Sequence, residues 1–505
     1  MLQYDIPLLI VAVFLILNLI IGLYSIRRNT TFQAYAVGNK RFSTAALVVT
    51  LLATFLNGAF LVQYIPQMCH YGLQLMIIWL MVPFGGWLMS QIIWRMGPFL
   101  QHLSIAETIG SVYGKIPRVM VALASIAYAI GMVTNQIKII FLSVDMYSDV
   151  VPARIIMVII ILIVISYAAL GGIYAVTMTD IFQFLAFMTI IILLCKLMYL
   201  STELSIVEII TSIHRIEKFQ LSNLLHFNKR LLRLMIDIVS FGLLIGAYIP
   251  APYMQRAYMA SSPFQVQRVF RYSSFVSLCI ILIIILMSLF IFTIHPISKG
   301  VRWPYEEVFL YIMAHLSPFY KGLMTVAILG MCMSTIDSCL HVAAVTMAHD
   351  IIEHIPGIKC FSDVRKLIAA KCSAIVIGLL AAVSAICKTN LFDVSRFVIY
   401  FYQFFHVVVA APFILALLGF RGTSRTALIG MATGILTVIS YWYIWISTIY
   451  TEVLCVLANG LAMMAAHYLL PQPSHTGWIG LNSQQKRMRQ FMSVYKKHKK
   501  NIDIE

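Results

Sequence analysis

Residues 330–341 read Gly-Met-Cys-Met-Ser-Thr-Ile-Asp-Ser-Cys-Leu-His, inside an apolar segment that covers about residues 323–347. This segment is long enough to cross a bilayer as a helix, which takes about 20 residues. Its polar residues follow one another at helical spacing, so one face carries Ser334, Asp337, Ser338 and His341, with Thr335 beside them. Polar groups this dense in a membrane helix are costly unless they face a partner, a cavity or an ion. The stretch therefore predicts a functional site.

The composition is that of a membrane protein. Of 505 residues, 61% are hydrophobic and only 11% are charged, and the mean hydropathy is +0.91. A soluble domain needs far more charge on its surface. The nine cysteines are scattered singly without a CxxC pair, which argues against a disulfide framework or a zinc site. We expect an all-α polytopic membrane protein.

Apolar runs of spanning length recur along the chain. The first stops at Arg27-Arg28 and lacks the basic start of a secretory signal, so we expect it to remain as a helix. Judged by length, the sequence predicts about thirteen transmembrane helices, at approximately 6–24, 43–66, 73–94, 117–144, 154–171, 180–200, 234–253, 273–294, 320–348, 369–387, 396–419, 427–446 and 451–470.

The basic residues indicate an orientation. The formal net charge is +17, but most Lys and Arg lie in short loops between predicted spans, so we expect no nucleic-acid partner. Their uneven distribution follows the positive-inside rule. It predicts an outer N-terminus and a cytoplasmic C-terminus in the plasma (inner) membrane. The basic tail, residues 471–505, is either a partner-binding arm or a segment drawn to anionic membrane lipid.

Three further motifs accompany the 330–341 stretch. Residues 35–41 read Tyr-Ala-Val-Gly-Asn-Lys-Arg, residues 171–183 read Gly-Gly-Ile-Tyr-Ala-Val-Thr-Met-Thr-Asp-Ile-Phe-Gln, and residues 255–260 read Gln-Arg-Ala-Tyr-Met-Ala. Taken alone, the first is a turn signal and the third a basic anchor at the membrane interface. The second is a tight turn after which Thr179 or Asp180 would cap the next helix.

Together with Met333-Ser-Thr-Ile-Asp-Ser338, these motifs stand in the order found in the sodium:solute symporter family, which the chain resembles over most of its length. Members of that family import sugars, amino acids, vitamins and other small solutes with sodium. The resemblance implies two inverted five-helix repeats of the leucine-transporter type. It divides the chain into a first helix and cytoplasmic loop, a first repeat, an extracytoplasmic loop, a second repeat, two C-terminal helices and a basic cytoplasmic tail, at 1–42, 43–200, 201–233, 234–420, 421–470 and 471–505.

The first helix of each implied repeat carries helix breakers. Asn57-Gly58 interrupts the second span, and the seventh contains Gly242, Gly246, Pro250 and Pro252. Interrupted helices at matching positions indicate a central transport site. The alternative is that Gly and Pro are common in membrane helices generally.

The resemblance implies a sodium site, with sodium as the coupling ion and no cofactor. Ser334 and Thr335 match the family's hydroxyl pair, and its backbone carbonyl donors are matched by Ala53, Leu56 and Met331. A hard cation prefers several oxygen ligands, and the C-terminal end of a half-helix favours a cation. The alternative is that both hydroxyls bond only to their own helix.

Phe55 departs from the family pattern, in which many sodium-coupled members have a polar or acidic residue at this position. Asp337 or Asp180 would then supply the missing charge, or carry a proton in place of sodium. Proton coupling and uncoupled transport of a solute therefore stay open.

The solute site is predicted from position. Asn57 and Ser338 can hydrogen-bond a solute, and Phe60 can stack on it or close a gate. Gln63 is a further candidate, and each of the four residues can equally serve helix packing. Lys138 either binds a carboxylate solute or snorkels.

Three more polar residues have expected roles. Asp180 is assigned to the ion exit route at the cytoplasmic mouth, with helix capping as the alternative. Asp350 is expected at the membrane interface. His341 is expected to be a hydrogen-bonded structural residue, not a ligand.

Three classes of function are compatible with this pattern. The first is a secondary active symporter, which we favour. The second is a sensor with a transporter fold, but only about 35 residues follow the last predicted span, too few for a kinase or receiver domain. The third is an enzyme, but the chain has no Walker loop, HExxH or nucleophile elbow. We therefore expect a transporter that is not an enzyme.

Overall fold

The structure is a computed structural model that describes residues 2–25, 31–145, 152–220, 222, 248–294, 305–355, 362–387, 391–443, 449–474 and 476–479. Within these ranges the α-helices are α1 Leu2–Tyr24, α2 Phe32–Val37, α3 Thr44–Phe55, α4 Ile65–Tyr71, α5 Leu73–Ile93, α6 Ile105–Tyr113, α7 Lys115–Asp145, α8 Ala153–Ser201, α9 Ile206–His214, α10 Ala251–Tyr258, α11 Pro263–Ile294, α12 Tyr305–His315, α13 Pro318–Thr346, α14 Asp363–Cys387, α15 Leu391–Leu418, α16 Ser424–Tyr443 and α17 Ile449–Leu469. Two short antiparallel strands, β1 Phe420–Arg421 and β2 Gly477–Trp478, pair with each other.

Most of these helices are long and apolar enough to cross a membrane. In the described ranges ten helices meet that criterion, or up to eleven if the bent pair formed by residues 44–71 is one span. The predicted fifth and sixth spans form the single element α8, which bends at Gly172. The predicted seventh span, 234–253, lies outside the described residues except for 248–253. The predicted total of thirteen therefore stays a prediction.

The second predicted span is a broken helix. Ser43 caps α3 by accepting a hydrogen bond from the amide of Ala46. The helix ends at Phe55, and the chain resumes as one π-helical turn over Phe60–Tyr64 that continues into α4. The two halves are bent by 49°. Because the first half ends inside the bundle, its last carbonyl groups lack helical partners, as the Asn57-Gly58 pair predicted.

The helix that carries the 330–341 stretch lies at the centre of the bundle. Every residue of α13 from Met324 to Thr346 is buried. Its neighbours include α1, α3, α7, α8 and α14. No face of this part of α13 is left for lipid, which explains why polar residues are tolerated on it.

The short segment before α3, which contains α2, packs against the bundle. Thr31 caps α2, and Gly38 ends it with a φ of 62°, which is the turn that the Gly-Asn pair predicted. The carbonyl of Ala36 accepts a hydrogen bond from Gln255 (2.7 Å) and lies 3.2 Å from His341 Nε2. His341 is therefore a buried hydrogen-bonded residue in this structure.

The predicted helix cap at Thr179 or Asp180 is wrong. The only interruption in α8 is Gly172, with a φ of 53°, and the helix continues through both residues. The Thr179 hydroxyl donates to the Ala175 carbonyl inside the helix (2.9 Å). The Gly pair produces a kink and not a helix end, so these two residues lie about two turns beyond it.

Gly172 should resist any side chain. Its φ lies in the left-handed region, and an added Cβ would come within 2.5 Å of the Tyr35 ring. We predict that Gly172→Ala lowers the free energy of unfolding by at least about 1–2 kcal/mol, measured as thermal unfolding of the purified protein. Gly460→Ala is the matched control, because its Cβ would meet only Ala411 at 3.7 Å. An equal stability of both variants would contradict the packing described here.

Candidate ion and solute site

Two hydroxyls of α13 meet the break in residues 44–71. Ser334 Oγ donates to the carbonyl of Ala53 (2.8 Å), and Thr335 Oγ1 donates to the carbonyl of Thr54 (3.2 Å). Both hydroxyls also lie near the carbonyl of Met331, at 3.1 and 3.0 Å. Three carbonyl and two hydroxyl oxygens therefore converge where α3 ends.

This arrangement has the chemistry of a site for a hard monovalent cation. The oxygens are neutral, several in number and buried, and the end of a half-helix adds favourable dipole potential. The predicted residues Ala53, Met331, Ser334 and Thr335 are in mutual contact. Leu56 is the C-cap residue of α3, with a ψ of 82°. The carbonyl of Thr54, which the sequence analysis did not include, is a further candidate donor.

A buried arginine lies next to this oxygen cluster. The Arg256 side chain is 0% exposed and pairs with Asp180, also 0% exposed, at 2.9 Å. Its Nη1 donates to the Pro252 carbonyl. Its Nη2 lies 2.6–2.9 Å from the side-chain oxygens of Thr50, Thr54, Asp180 and Ser338. One guanidinium thus joins α3, α8, α10 and α13.

These contacts bear on two expectations. Arg256 is not a basic anchor at the membrane interface, because it is fully buried and paired. Asp180 is likewise fully buried, and its place on an ion exit route stays a prediction. Thr50 donates to its Oδ2 as well. Asp180 lies close to α13, since Arg256 Nη2 contacts both Asp180 and Ser338 of α13.

A second buried carboxyl group, that of Asp337, lies on the polar face of α13. Asp337 Oδ2 accepts a hydrogen bond from Tyr167 (3.0 Å) and lies 3.2 Å from the hydroxyl oxygen of Thr179, both on α8. Within the described ranges, one oxygen of each carboxylate has no hydrogen-bond partner, namely Asp180 Oδ1 and Asp337 Oδ1. One guanidinium faces two carboxyl groups, so acceptor oxygens are in excess; with both carboxyls ionised the net charge would be minus one, which a cation or a proton balances.

The predicted solute residues fall into two groups. Asn57 uses its side-chain oxygen to accept the Ala59 amide within the break (3.0 Å). Phe60 packs against Phe55 and Tyr64, and Gln63 is 9% exposed on the same turn. Ser338 belongs instead to the Arg256 cluster, 3.0 Å from Thr54 Oγ1.

Lys138 lies on α7, away from the Arg256 cluster. Its ammonium group stands 5.0 Å from the centroid of the Phe141 ring, one turn along the helix. This contact shields the charge with an aromatic face. A carboxylate-binding role for Lys138 stays a prediction.

A separate ionic network lies at the end of the bundle where α6 and α7 meet α13 and α14. Asp350 is buried and pairs with Arg118 (2.7 Å), and its position at the membrane interface stays a prediction. His349 lies between Glu107 (3.1 Å) and Glu353 (2.9 Å). Burial would raise the pKa of Glu107, but hydrogen bonding and charge from His349 lower it to about 2.

Comparison with known proteins identifies the fold and the family. A structure of a sodium-coupled sialic acid symporter, described as a substrate-bound outward-open state with a novel sodium site, matches with a TM-score of 0.82 at 19% identity, covering 94% of this chain and 99% of that chain. Mhp1, a nucleobase-cation-symport-1 family transporter, in a closed conformation with bromovinylhydantoin bound, matches with a TM-score of 0.55 at 12% identity, covering 90% of this chain and 98% of that one. No curated protein sequence matches the chain.

The fold is thus that of these two structures, and the expected fold class is confirmed apart from the helix count. The family model of the sodium:solute symporter family matches residues 35–434. The chain belongs to the sodium:solute symporter family, and it is a cation-coupled importer of a solute.

Sequence reasoning missed the most connected polar residue, Arg256. Its motif was recognised, but a lone arginine after a hydrophobic span reads as an interfacial residue. No local signal identifies it, because its partner Asp180 lies 76 positions away along the chain. A buried charge needs such a partner.

The Arg256–Asp180 pair should behave as a buried ion pair. We predict that Arg256→Met destabilises the protein by about 3–5 kcal/mol, because it leaves a carboxylate uncompensated. The double variant Arg256→Met with Asp180→Asn should recover most of that loss. Thermal unfolding in detergent measures both, with Arg271→Met as control because Arg271 is an exposed arginine on α11. A double variant no more stable than Arg256→Met would contradict the pairing.

Proposed function

We propose that this protein imports a small organic solute together with sodium by alternating access. The observation that carries the proposal is the meeting of Ser334 and Thr335 with the carbonyls of Ala53 and Thr54. In this proposal sodium replaces the hydroxyl hydrogens as the partner of these carbonyl oxygens, and both hydroxyl oxygens turn their lone pairs to the ion. Leu56 and Met331 supply the remaining carbonyl ligands.

The Arg256 cluster has a second role in the proposal. Sodium leaving the site passes Asp180, whose free Oδ1 offers a negative oxygen beside Ser338. Loading and unloading sodium would then change the balance of charge around Arg256. Such a change gives ion binding a means of biasing the contacts among α3, α8, α10 and α13.

Membrane placement follows the basic loops. We propose an integral protein of the plasma (inner) membrane with the N-terminus outside and the C-terminus in the cytoplasm. The end of the bundle that carries Arg118 and Asp350 would then face the cytoplasm. The basic tail would associate with anionic lipid, and no nucleic-acid partner is proposed.

Proton coupling is the second candidate. It is favoured by Phe55, whose side chain offers no oxygen at the break, and by the two buried carboxyl groups near one guanidinium. A proton on Asp180 or Asp337 would balance the charge as sodium would. Proteoliposomes with a sodium gradient or a proton gradient imposed separately distinguish the two, because only the coupling ion drives accumulation.

The hydroxyl pair gives the sharpest test of sodium coupling. Sodium should raise the unfolding temperature of the parent protein relative to potassium, because a ligand that binds only the folded state stabilises that state. At a hundredfold excess of ligand over Kd, the free energy of unfolding increases by about 2.7 kcal/mol. Ser334→Ala with Thr335→Ala should abolish this rise and sodium-driven uptake while the protein still reaches the membrane.

The control for this test is Thr433→Ala with Ser440→Ala. Both hydroxyls lie on α16 and donate only to carbonyls of their own helix. The control should keep the full sodium effect. Unchanged sodium dependence in the Ser334/Thr335 variant would remove the proposed ion site.

Asp180→Asn tests the exit route. We predict slower initial uptake, because the neutral amide attracts a departing cation less than a carboxylate does. Initial rates are measured in proteoliposomes across sodium concentrations and pH, with a solute identified by a thermal-shift screen. Asp145→Asn, at the exposed end of α7, should match the parent. Rates for Asp180→Asn equal to the parent at every condition would exclude this role.

A further inference from the structure

Two adjacent amide side chains on α7 are buried without complete hydrogen bonding. Asn135 is 6% exposed and Gln136 is 0% exposed. In the part of the chain that the structure describes, Asn135 Oδ1 and Gln136 Nε2 have no hydrogen-bond partner. A buried polar atom left unpaired costs stability. One unused acceptor and one unused donor therefore lie on successive residues of α7.

Gln136 is fixed at the broken helix. Its Oε1 accepts the backbone amide of Gly58 at 3.1 Å, so its free NH₂ group is held beside the break. Gly58 permits this approach, since a Cβ there would come within 2.3 Å of Cys332 Sγ and 3.4 Å of Gln136 Oε1. The backbone amide of Gly58 thus fixes the position of the Gln136 side chain.

Asn135 shares the face of α7 that looks toward α15. It lies seven residues after Tyr128, which places both on one side of the helix. The Tyr128 ring packs 6.1 Å from Tyr402 and 5.3 Å from Phe405 on α15. Thr134 points elsewhere, because its hydroxyl donates to the Ala381 carbonyl on α14.

Aromatic rings surround the broken helix on its other sides. Phe60 lies 5.1 Å from both Tyr64 and Trp79. On the preceding half, Phe55 stacks on Tyr248 at 5.2 Å with an interplanar angle of 4°. Flat apolar surfaces with a few placed polar groups are the usual lining of a small-molecule site.

The two basic side chains described above, Arg256 and Lys138, already have partners. Arg256 is surrounded by oxygens of the ion cluster, and the Lys138 ammonium stands over Phe141. The groups left at the break are neutral amides and rings. They complement a neutral solute better than a zwitterion or an ion, whose burial without a counter-charge is costly.

We infer that Asn135 and Gln136 select the solute, which is an uncharged, ring-bearing molecule that presents a hydrogen-bond acceptor to Gln136 Nε2 and a donor to Asn135 Oδ1. Cyclic amides, cyclic imides and cyclic polyols have this chemistry. The inference rests on the proposed function, because it places the solute at the break beside the ion site.

Thermal unfolding of the purified full-length protein in sodium buffer tests the inference with five probes. Uracil and myo-inositol are uncharged, whereas proline, lactate and choline carry charge. At millimolar concentration, the upper range for transporter and enzyme substrates, at least one uncharged probe should raise the unfolding temperature and the charged probes should not. Asn135→Leu and Gln136→Met should each weaken the apparent affinity at least about tenfold.

Thr134→Val is the matched control, since it removes a neighbouring hydroxyl that faces α14, and it should bind like the parent. Sodium stabilisation should persist in all three variants, which shows that they are folded. A charged probe that stabilises more than the uncharged ones, failure of both uncharged probes, or binding that survives both substitutions overturns the assignment. In those cases, if sodium still raises the unfolding temperature, the result does not count against the proposed sodium-coupled function. Loss of that effect in the parent would count against the function itself.

Discussion

The burial of Arg256 is the constraint around which the rest of this bundle is arranged. A guanidinium that is 0% exposed cannot remain there without close oxygens. Asp180, two threonines of α3 and Ser338 of α13 supply them. These four helices are therefore held at fixed distances by a polar group and not by apolar packing alone. Polar contacts of this kind are directional, so they specify one arrangement where apolar surfaces would accept several.

The broken helix uses the same neighbours for a different purpose. Its carbonyl groups at Ala53 and Thr54 are free because α3 ends at Phe55, and the α13 hydroxyls satisfy them. Thr54 belongs to both arrangements, with its carbonyl toward Thr335 and its hydroxyl toward Arg256. The candidate ion site and the buried ion pair are therefore one connected polar layer.

Features of the fold and site that depend on neighbouring residues could be predicted from the sequence, whereas contacts between residues far apart in the chain could not. The helix break and the polar face of α13 follow from local features, namely the Asn57-Gly58 pair and the spacing of Ser334 through Ser338. The cap predicted at Asp180 failed because two glycines indicate a tight turn, while only Gly172 departs from helical dihedrals.

The partners of Arg256 and Asp350 come from distant parts of the chain, such as Asp180 and Arg118. Nothing local distinguishes these charges from ordinary interfacial ones. Asn135 and Gln136 gave no strong signal either, because an amide in a membrane helix becomes informative only when its unpaired atoms are known.

The charge of the polar layer determines how membrane voltage acts on it. With its groups ionised, one guanidinium and two carboxylates carry a net charge of minus one, and a bound sodium cancels it. Moving one elementary charge through 100 mV is worth about 2.3 kcal/mol. In the proposed sodium-coupled cycle, a loaded and neutral layer would cross the electric field without work, whereas an empty layer would be pushed outward by an interior-negative potential. The resting voltage would then act on the return of the empty carrier and not on the loaded step.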